Sequence, residues 1–229
     1  MTTLFRYGVR VDVANLLSNT SLFAALTENE LQEVVKGHRM LSLKRNDELF
    51  KEDAPANSLY IVSSGRIGIV KAFLDRKESI VAMMEGGDLF GEMGLFDKGV
   101  RSATARALER SEVIEVEYEP IRSVLEGRPS LLWSLLDLMA RRMRQTDDAL
   151  TDAMFLDVTG RCAKRILELS QGNDEFFIPL TQEELAGLIG ASRERVNKTI
   201  ATFIRARYIE VNDRNYKILN RHQLEIIAG

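Results

Sequence analysis

A single cysteine, Cys162, in a chain of 229 residues rules out an internal disulfide and cannot supply the thiolates that an iron-sulfur cluster requires. The two histidines, His38 and His222, are far apart and have no Cys or carboxylate partner at ligand spacing. No metal site and no histidine-based catalytic device is therefore expected. Long apolar runs are missing as well: even Leu131 to Ala140 is broken by Ser134 and Asp137, so no membrane partner is expected. The opening residues Met-Thr-Thr-Leu-Phe-Arg lack the regions of a secretory signal. The expectation is a cytoplasmic protein.

What is present has an ordinary globular balance, 45% hydrophobic and 28% charged, which excludes disorder and leaves room for two small cored domains. The net charge of −3 argues against a general nucleic-acid binder, but it is unevenly spread. From Val158 onward there are 11 Lys and Arg against 9 Asp and Glu, leaving 20 against 25 before it. Between Arg193 and Arg207 five basic residues face one acid, Glu194. Such a run can be a solvated face or a nucleic-acid contact, and charge alone does not choose.

The periodicity changes twice along the chain. Thr27-Glu28-Asn29-Glu30 is a capping-box pattern opening a helix with Leu31, Val34 and Val35 on one face. From Arg39 to about Val116 the pattern predicts short strands over 40–43, 58–63, 66–73, 79–84, 102–108 and 111–116, an antiparallel sandwich or roll. From Pro120 the pattern is helical, with Pro129 at the first turn of a long helix reaching at least Met154. Along it Leu132, Leu136, Met139, Met143, Thr146, Leu150 and Ala153 form a heptad seam. The seam could pack on the sheet; sustained 3.5-residue spacing favours a two-helix contact between copies of the chain.

A new unit begins at Asp157, a plausible N-cap, whose helix closes at Gly172-Asn173-Asp174 before a short strand over 176–178. Thr181-Gln182-Glu183-Glu184 is a second capping box, opening a short helix that ends at Gly190. Ala191-Ser192 is the turn and the next cap, and the following helix turns Val196, Ile200 and Phe203 inward. Two short helices joined through a Gly-containing turn are a helix-turn-helix signature. Behind them 208–211 and 216–219 read as a hairpin, a wing.

The outward face of the second helix suits a major groove. Arg193 can pair with guanine, Glu194 can accept from cytosine, and Lys198 can donate to guanine or phosphate. Ser192, Arg195, Thr199, Arg214 and Lys217 are candidates for phosphate contacts, and Thr181, Gln182 and Asn197 complete the DNA-facing set. The second candidate site is the stretch Gly87 to Phe96 followed by Arg101-Ser102-Ala103. A glycine-rich loop is weak by itself. Backbone amides near Gly91, with Arg101 and Ser102, can surround an anion, and Glu92 offers an acceptor for ribose hydroxyls.

These residues carry a family resemblance that runs over nearly the whole chain. Gly91-Glu92-Met93-Gly94-Leu95-Phe96 with Arg101-Ser102-Ala103, Met139-Ala140-Arg141-Arg142, Phe155 to Arg161, and Gly190 to Glu194 resemble the CRP/FNR superfamily of bacterial transcription regulators, in its cyclic-AMP-receptor branch. The resemblance implies an α+β protein: a cyclic-nucleotide-binding jelly-roll (β-roll) over residues 1–128, a dimerisation helix and hinge over 129–156, and a winged helix-turn-helix over 157–229. It implies a homodimer through 129–154, cyclic AMP as allosteric ligand, and double-stranded DNA and RNA polymerase as partners. Glu92 and the Gly91 backbone would take the ribose hydroxyl, Arg101 and Ser102 the cyclic phosphate, and Thr146 the base edge, with Phe90, Met93, Ala103, Arg142 and Asp147 completing the nucleotide set. Arg193, Glu194 and Lys198 would read bases in a palindrome whose half-sites lie about one helical turn (roughly 34 Å) apart.

Two departures bear on specificity. Asp147 replaces the small hydroxyl residue of enteric members; an aspartate can accept from adenine N6 or from guanine N1 and N2, which leaves cyclic GMP open as the ligand. Lys198 replaces an arginine, giving a point donor without the bidentate fork. A ligand-independent DNA-binding regulator is a second reading. Haem or iron-sulfur sensing is disfavoured by the lone cysteine and two histidines. An enzyme acting on cyclic nucleotides would need a metal cluster or acid-base pair that the sequence does not display.

Overall fold

The computed structural model describes residues 4–6, 9–11, 13–18, 20, 23–72, 78–97 and 99–229. They form two compact units, Met1–Lys71 with Ala82–Met143, and Ala72–Val81 with Arg144–Gly229.

In the first unit, β1 (Leu4–Arg6), β2 (Val9–Val11) and α1 (Val13–Ser18) precede α2 (Glu28–Val35). Both halves of the capping box on α2 form, Thr27 and Glu30 exchanging hydrogen bonds. Strands β3 (Arg39–Leu43), β4 (Glu48–Phe50), β5 (Ser58–Ser64), β6 (Ile67–Ala72), β7 (Glu78–Met84), β8 (Leu89–Phe90), β9 (Thr104–Ala107) and β10 (Ser111–Glu117) follow along the chain, the last residue of β6 and the first four of β7 falling in the second unit. They build two four-stranded sheets, ordered β3-β10-β5-β8 and β4-β9-β6-β7. This is the β-roll expected. Phe73, the expected end of the strand over 66–73, lies outside the described residues.

Period-two alternation divides the core. Leu59 and Ile61 of β5 and Ile114 and Val116 of β10 face α1, α2 and α4 (Tyr118–Gly127). Tyr60, Val62, Val113 and Phe90 face the second sheet, against Ile67, Ala105 and Ala107. Burying each such large side chain contributes about 1.5–3 kcal/mol.

Two helical boundaries correct the expectation. Residues after Pro120 form a separate helix, α4, with Pro120 in its first turn, where a missing N–H costs nothing. Pro129 opens a 3₁₀ turn, Pro129–Leu131, from which the long helix α5 (Leu132–Phe155) continues. Leu135 and Leu138 of α5 pack into the core of the roll. The heptad seam is a different face: Leu136, Met143 and Leu150 are 57%, 68% and 59% exposed. Packing of the seam on the sheet is thereby overturned for the single chain.

In the second unit, Asp157 caps α6 (Val158–Ser170), its carboxylate accepting from the Gly160 N–H at 2.8 Å. The left-handed residue that ends α6 is Gln171, φ +48°, one position before the expected glycine. Helices α7 (Gln182–Ile189) and α8 (Arg193–Arg205) follow, the first closed by Gly190 in the left-handed conformation. Strands β12 (Ile209–Asn212) and β13 (Asn215–Ile218) form the expected hairpin, and β11 (Glu175–Phe177) adds a third strand. A terminal helix, α9 (Arg221–Ala228), packs on α6. Cys162 is fully buried in this unit, and burial pushes its thiol up to about 12, so it stays protonated and inert.

Candidate nucleotide-binding and DNA-reading sites

The loop between β8 and β9 is held by backbone conformation. Gly91 sits at φ +76°, a left-handed position, and a Cβ there would stand 2.8 Å from Arg101 Nη1, so any other residue would strain the backbone and push on the guanidinium. The next residues wind into a short helix, α3 (Met93–Asp97), where the sequence reads as open loop. Arg122 of α4 clamps its end by donating to the Leu95 carbonyl at 3.1 Å.

Arg101 is 5% exposed, and its guanidinium lies 4.2 Å above the Phe50 ring. Nη1 donates to the Gly91 carbonyl at 2.9 Å and approaches the Tyr118 hydroxyl at 3.4 Å. Nη2 reaches Ser58 Oγ at 3.4 Å and the Tyr60 hydroxyl at 3.5 Å. Its Nε–H is buried and has no acceptor among the described residues. Glu92 is fully buried, and its carboxylate stands 3.1 Å from Arg142 Nη1 on α5. Neither of its oxygens has a well-aligned hydrogen-bond donor among the described residues. Arg142 also donates to the Leu89 carbonyl at 2.5 Å, which fixes it beside the loop. A buried cationic donor and a buried anionic acceptor with unused capacity together suit a ligand that carries both an anionic oxygen and hydroxyls.

The other expected nucleotide residues separate by exposure. Phe90 points away into the core, stacked on Tyr60 with centroids 5.5 Å apart, so only its backbone faces the loop. Ala103 is buried, whereas Ser102 and Met93 are exposed and touch, Ser102 Oγ to Met93 Sδ at 3.5 Å. Thr146 and Asp147 are exposed on α5. Among the described residues no group of three or more His, Cys, Asp or Glu could hold a metal ion. No described helix is long and apolar enough to cross a membrane.

In the second unit the turn and the helix after it are built as expected. Val196, Ile200 and Phe203 are buried, and Arg193, Glu194, Asn197 and Lys198 are exposed on the opposite face of α8. Ser192 caps α8 by accepting from the Arg195 N–H, worth about 1 kcal/mol in typical helices. Arg195, Lys198 and Thr199 line a concavity of about 290 Å³ with Asp157 and Thr159. Four expected contacts are less free. Lys217 is ion-paired to Glu175 at 2.6 Å across the wing, and that pairing holds its pKa above the ordinary lysine value. Gln182 is half-buried with Oε1 turned inward, while Arg214 is half-buried at the hairpin turn. Thr181 spends its hydroxyl on the capping box.

Arg161, which charge and spacing do not single out, holds this unit together. It donates to the carbonyls of Ile189 at 3.1 Å, Gly190 at 3.2 Å and Leu156 at 2.8 Å, tying the end of α7 to the end of α5. Lys164 adds an ion pair to Asp152 of α5 at 2.6 Å.

A nucleotide-type roll and a helix-turn-helix in one chain define a ligand-responsive DNA-binding regulator. Domain profiles agree: residues 40–128 match the cyclic nucleotide-binding domain and residues 160–227 the Crp-like helix-turn-helix domain. The CRP-like cAMP-activated global transcriptional regulator of Mycobacterium tuberculosis (strain ATCC 25618 / H37Rv) is 32% identical over 216 residues, covering 91% of this chain and 96% of that protein. The cAMP-activated global transcriptional regulator CRP of Salmonella typhimurium is 33% identical over 159 residues, 66% of this chain and 76% of its own. Among solved structures, the catabolite activator protein of Thermus thermophilus is 28% identical with a TM-score of 0.51, covering 91% of this chain and 98% of that one. FixK2 from Bradyrhizobium japonicum shares the fold at a TM-score of 0.77 and 19% identity, over 84% of this chain and 98% of its own. The chain belongs to the CRP/FNR family of bacterial transcription regulators.

Proposed function

We propose that this chain is a homodimeric transcription regulator that binds cyclic AMP and, when it does, grips palindromic DNA operators more tightly. The observation that carries the reading is the placing around one loop of buried Arg101, whose Nε–H has no acceptor among the described residues, and buried Glu92, whose carboxylate is ion-paired to Arg142 yet has no aligned hydrogen-bond donor among them. A cyclic phosphate supplies the acceptor that Arg101 lacks, and a ribose hydroxyl the donor that Glu92 lacks. Ser102 and the Gly91 backbone complete the grip on the sugar-phosphate. None of these groups selects a base.

That selection falls to Thr146 and Asp147. Asp147 is what favours a second reading, cyclic GMP, because a carboxylate accepts well from paired guanine donors. The two relatives named above are described as cAMP-activated, which weighs toward adenine. Calorimetric titration with each nucleotide decides it. Cyclic AMP is expected to bind more tightly, and Asp147→Ser is expected to change the ratio of the two affinities. An unchanged ratio would remove Asp147 from the base contact.

The exposed seam of α5 is the dimer contact in this reading, and ligand acts by biasing how two α5 helices pack. Arg161 and Lys164 carry a change at the end of α5 to the α7–α8 turn, because their partners lie on both. Arg193, Glu194 and Lys198 then read bases, while Ser192, Arg195 and Thr199 hold phosphates. The ligand must bind the DNA-competent arrangement more tightly than the other, or it shifts nothing. RNA polymerase is the further partner, and the chain acts without catalysis, in the cytoplasm.

A further inference from the structure

One rung of the first sheet carries an unusual row of side chains. Arg39, Glu115, Tyr60 and Phe90 are direct cross-strand partners on β3, β10, β5 and β8, so the row runs from the surface to the residue before Gly91. Residues opposite one another on adjacent strands project on the same face, here the face that carries Val113 and the interior of the roll. A carboxylate there is costly unless it is fully engaged. Glu115, 8% exposed, is engaged on both sides: Oε2 meets Arg39 at 2.8 Å, and Oε1 accepts from Ser58 Oγ at 2.9 Å and the Tyr60 hydroxyl at 3.1 Å.

The direction of these bonds matters. Each hydroxyl has one proton, and an ionised carboxylate only accepts. Ser58 Oγ also lies 3.1 Å from the Tyr60 hydroxyl; with the Tyr60 proton on Glu115 and the Ser58 proton on Glu115 or on Tyr60, both oxygens turn lone pairs toward Arg101 Nη2, 3.4 and 3.5 Å away. Tyr118 is arranged alike: its proton goes to the Gly91 carbonyl and its oxygen faces Arg101 Nη1. Burial holds both phenols above their ordinary range, so they keep the protons this pattern needs.

We propose that Glu115 is a positioning residue for the ligand: through Ser58 and Tyr60 it fixes the orientation of the Arg101 guanidinium and so decides which oxygens of a bound cyclic phosphate are held. Glutamine at 115 is a poorer substitute. With its amide oxygen toward the hydroxyls it still accepts from Ser58 and Tyr60, but without charge and without the Arg39 pair, so it holds their protons more weakly; with its amide nitrogen toward them, their protons are driven toward Arg101. In both orientations the hold on Arg101 loosens while its charge and stem remain.

The proposal rests on the roll being a cyclic-nucleotide site, and the test separates the two. Affinities of the full-length protein for cyclic AMP and for the two diastereomers of its phosphorothioate, each with sulfur replacing one exocyclic oxygen, are measured by calorimetry for wild type, Glu115→Gln and Tyr60→Phe. Glu115→Gln is expected to weaken cyclic AMP about tenfold, the loss of one hydrogen bond to a charged group, and to change the diastereomer ratio by about threefold or more. Tyr60→Phe keeps the ring stacked on Phe50 and Phe90 and is expected to move the ratio in the same direction, so it decides the matter if Glu115→Gln fails to fold. A ratio unchanged in the folded variants, even with lower affinity overall, would reduce Glu115 to a structural ion pair and overturn the proposal. A wild-type protein that binds none of the three compounds would instead overturn the nucleotide-site reading and the proposal with it.

Discussion

Replacing Arg101 with alanine is expected to lower the affinity for cyclic AMP and cyclic GMP alike by about 30-fold to several thousandfold, because truncating one partner of a buried charge pair costs about 2–5 kcal/mol and each 1.4 kcal/mol is tenfold. Both nucleotides carry the same phosphate, so both lose the same contact. Glu92 stays paired to Arg142 in the variant, so the loss is that of the Arg101 contact itself. Alanine also empties the space above Phe50, so Arg101→Lys is the control: it fills that space and keeps the charge but lacks the fork. Its affinity is expected to lie between wild type and alanine. Calorimetry, with thermal melting to show that both variants fold, checks this. Binding of cyclic AMP by Arg101→Ala at near wild-type strength would remove Arg101 from the phosphate site.

The second large effect concerns the seam on α5. Leu136→Asp together with Met143→Asp is expected to yield a folded monomer. Both side chains are exposed in the single chain, so the protomer loses little. In a two-helix contact each substitution buries a carboxylate opposite its own copy, a cost of several kcal/mol per ion. Sedimentation shows the mass directly. A monomer grips one half-site instead of two linked ones, so affinity for a palindromic operator should fall by about 10²–10⁴. A variant that sediments as a dimer would place the interface elsewhere.

How legible these features were differs with the physics behind them. Capping boxes are local, and those at Thr27 and Thr181 stand where the sequence puts them. The inward residues of α8 and the strands of the roll follow from periodicity over short windows. Strands of two or three residues such as β4 and β8, and the five-residue helix α3, are too short to show a period. Helix α9 follows a wing and has only Leu224 buried, which gives it little apolar signature. In the nucleotide loop, Arg101, Glu92 and Ser102 are near one another in sequence and could be grouped from it. The groups that hold Arg101 could not: Ser58, Tyr60 and Glu115 meet only through the register of β5 on β10. Likewise Lys217 is a candidate phosphate contact by sequence, and only strand pairing sets Glu175 beside it.

The central claim is that ligand in the roll controls the reading helix. Its most direct test is the affinity of the dimer for a palindromic operator, measured by titration at one fixed salt concentration with and without saturating cyclic AMP; fixed salt matters because phosphate contacts make any DNA affinity salt-dependent. Differential binding of the ligand to the two arrangements predicts operator binding about 5–150-fold tighter with cyclic AMP, the usual span of such coupling. Equal affinity in its presence and absence would contradict the account and leave a DNA-binding protein without this switch.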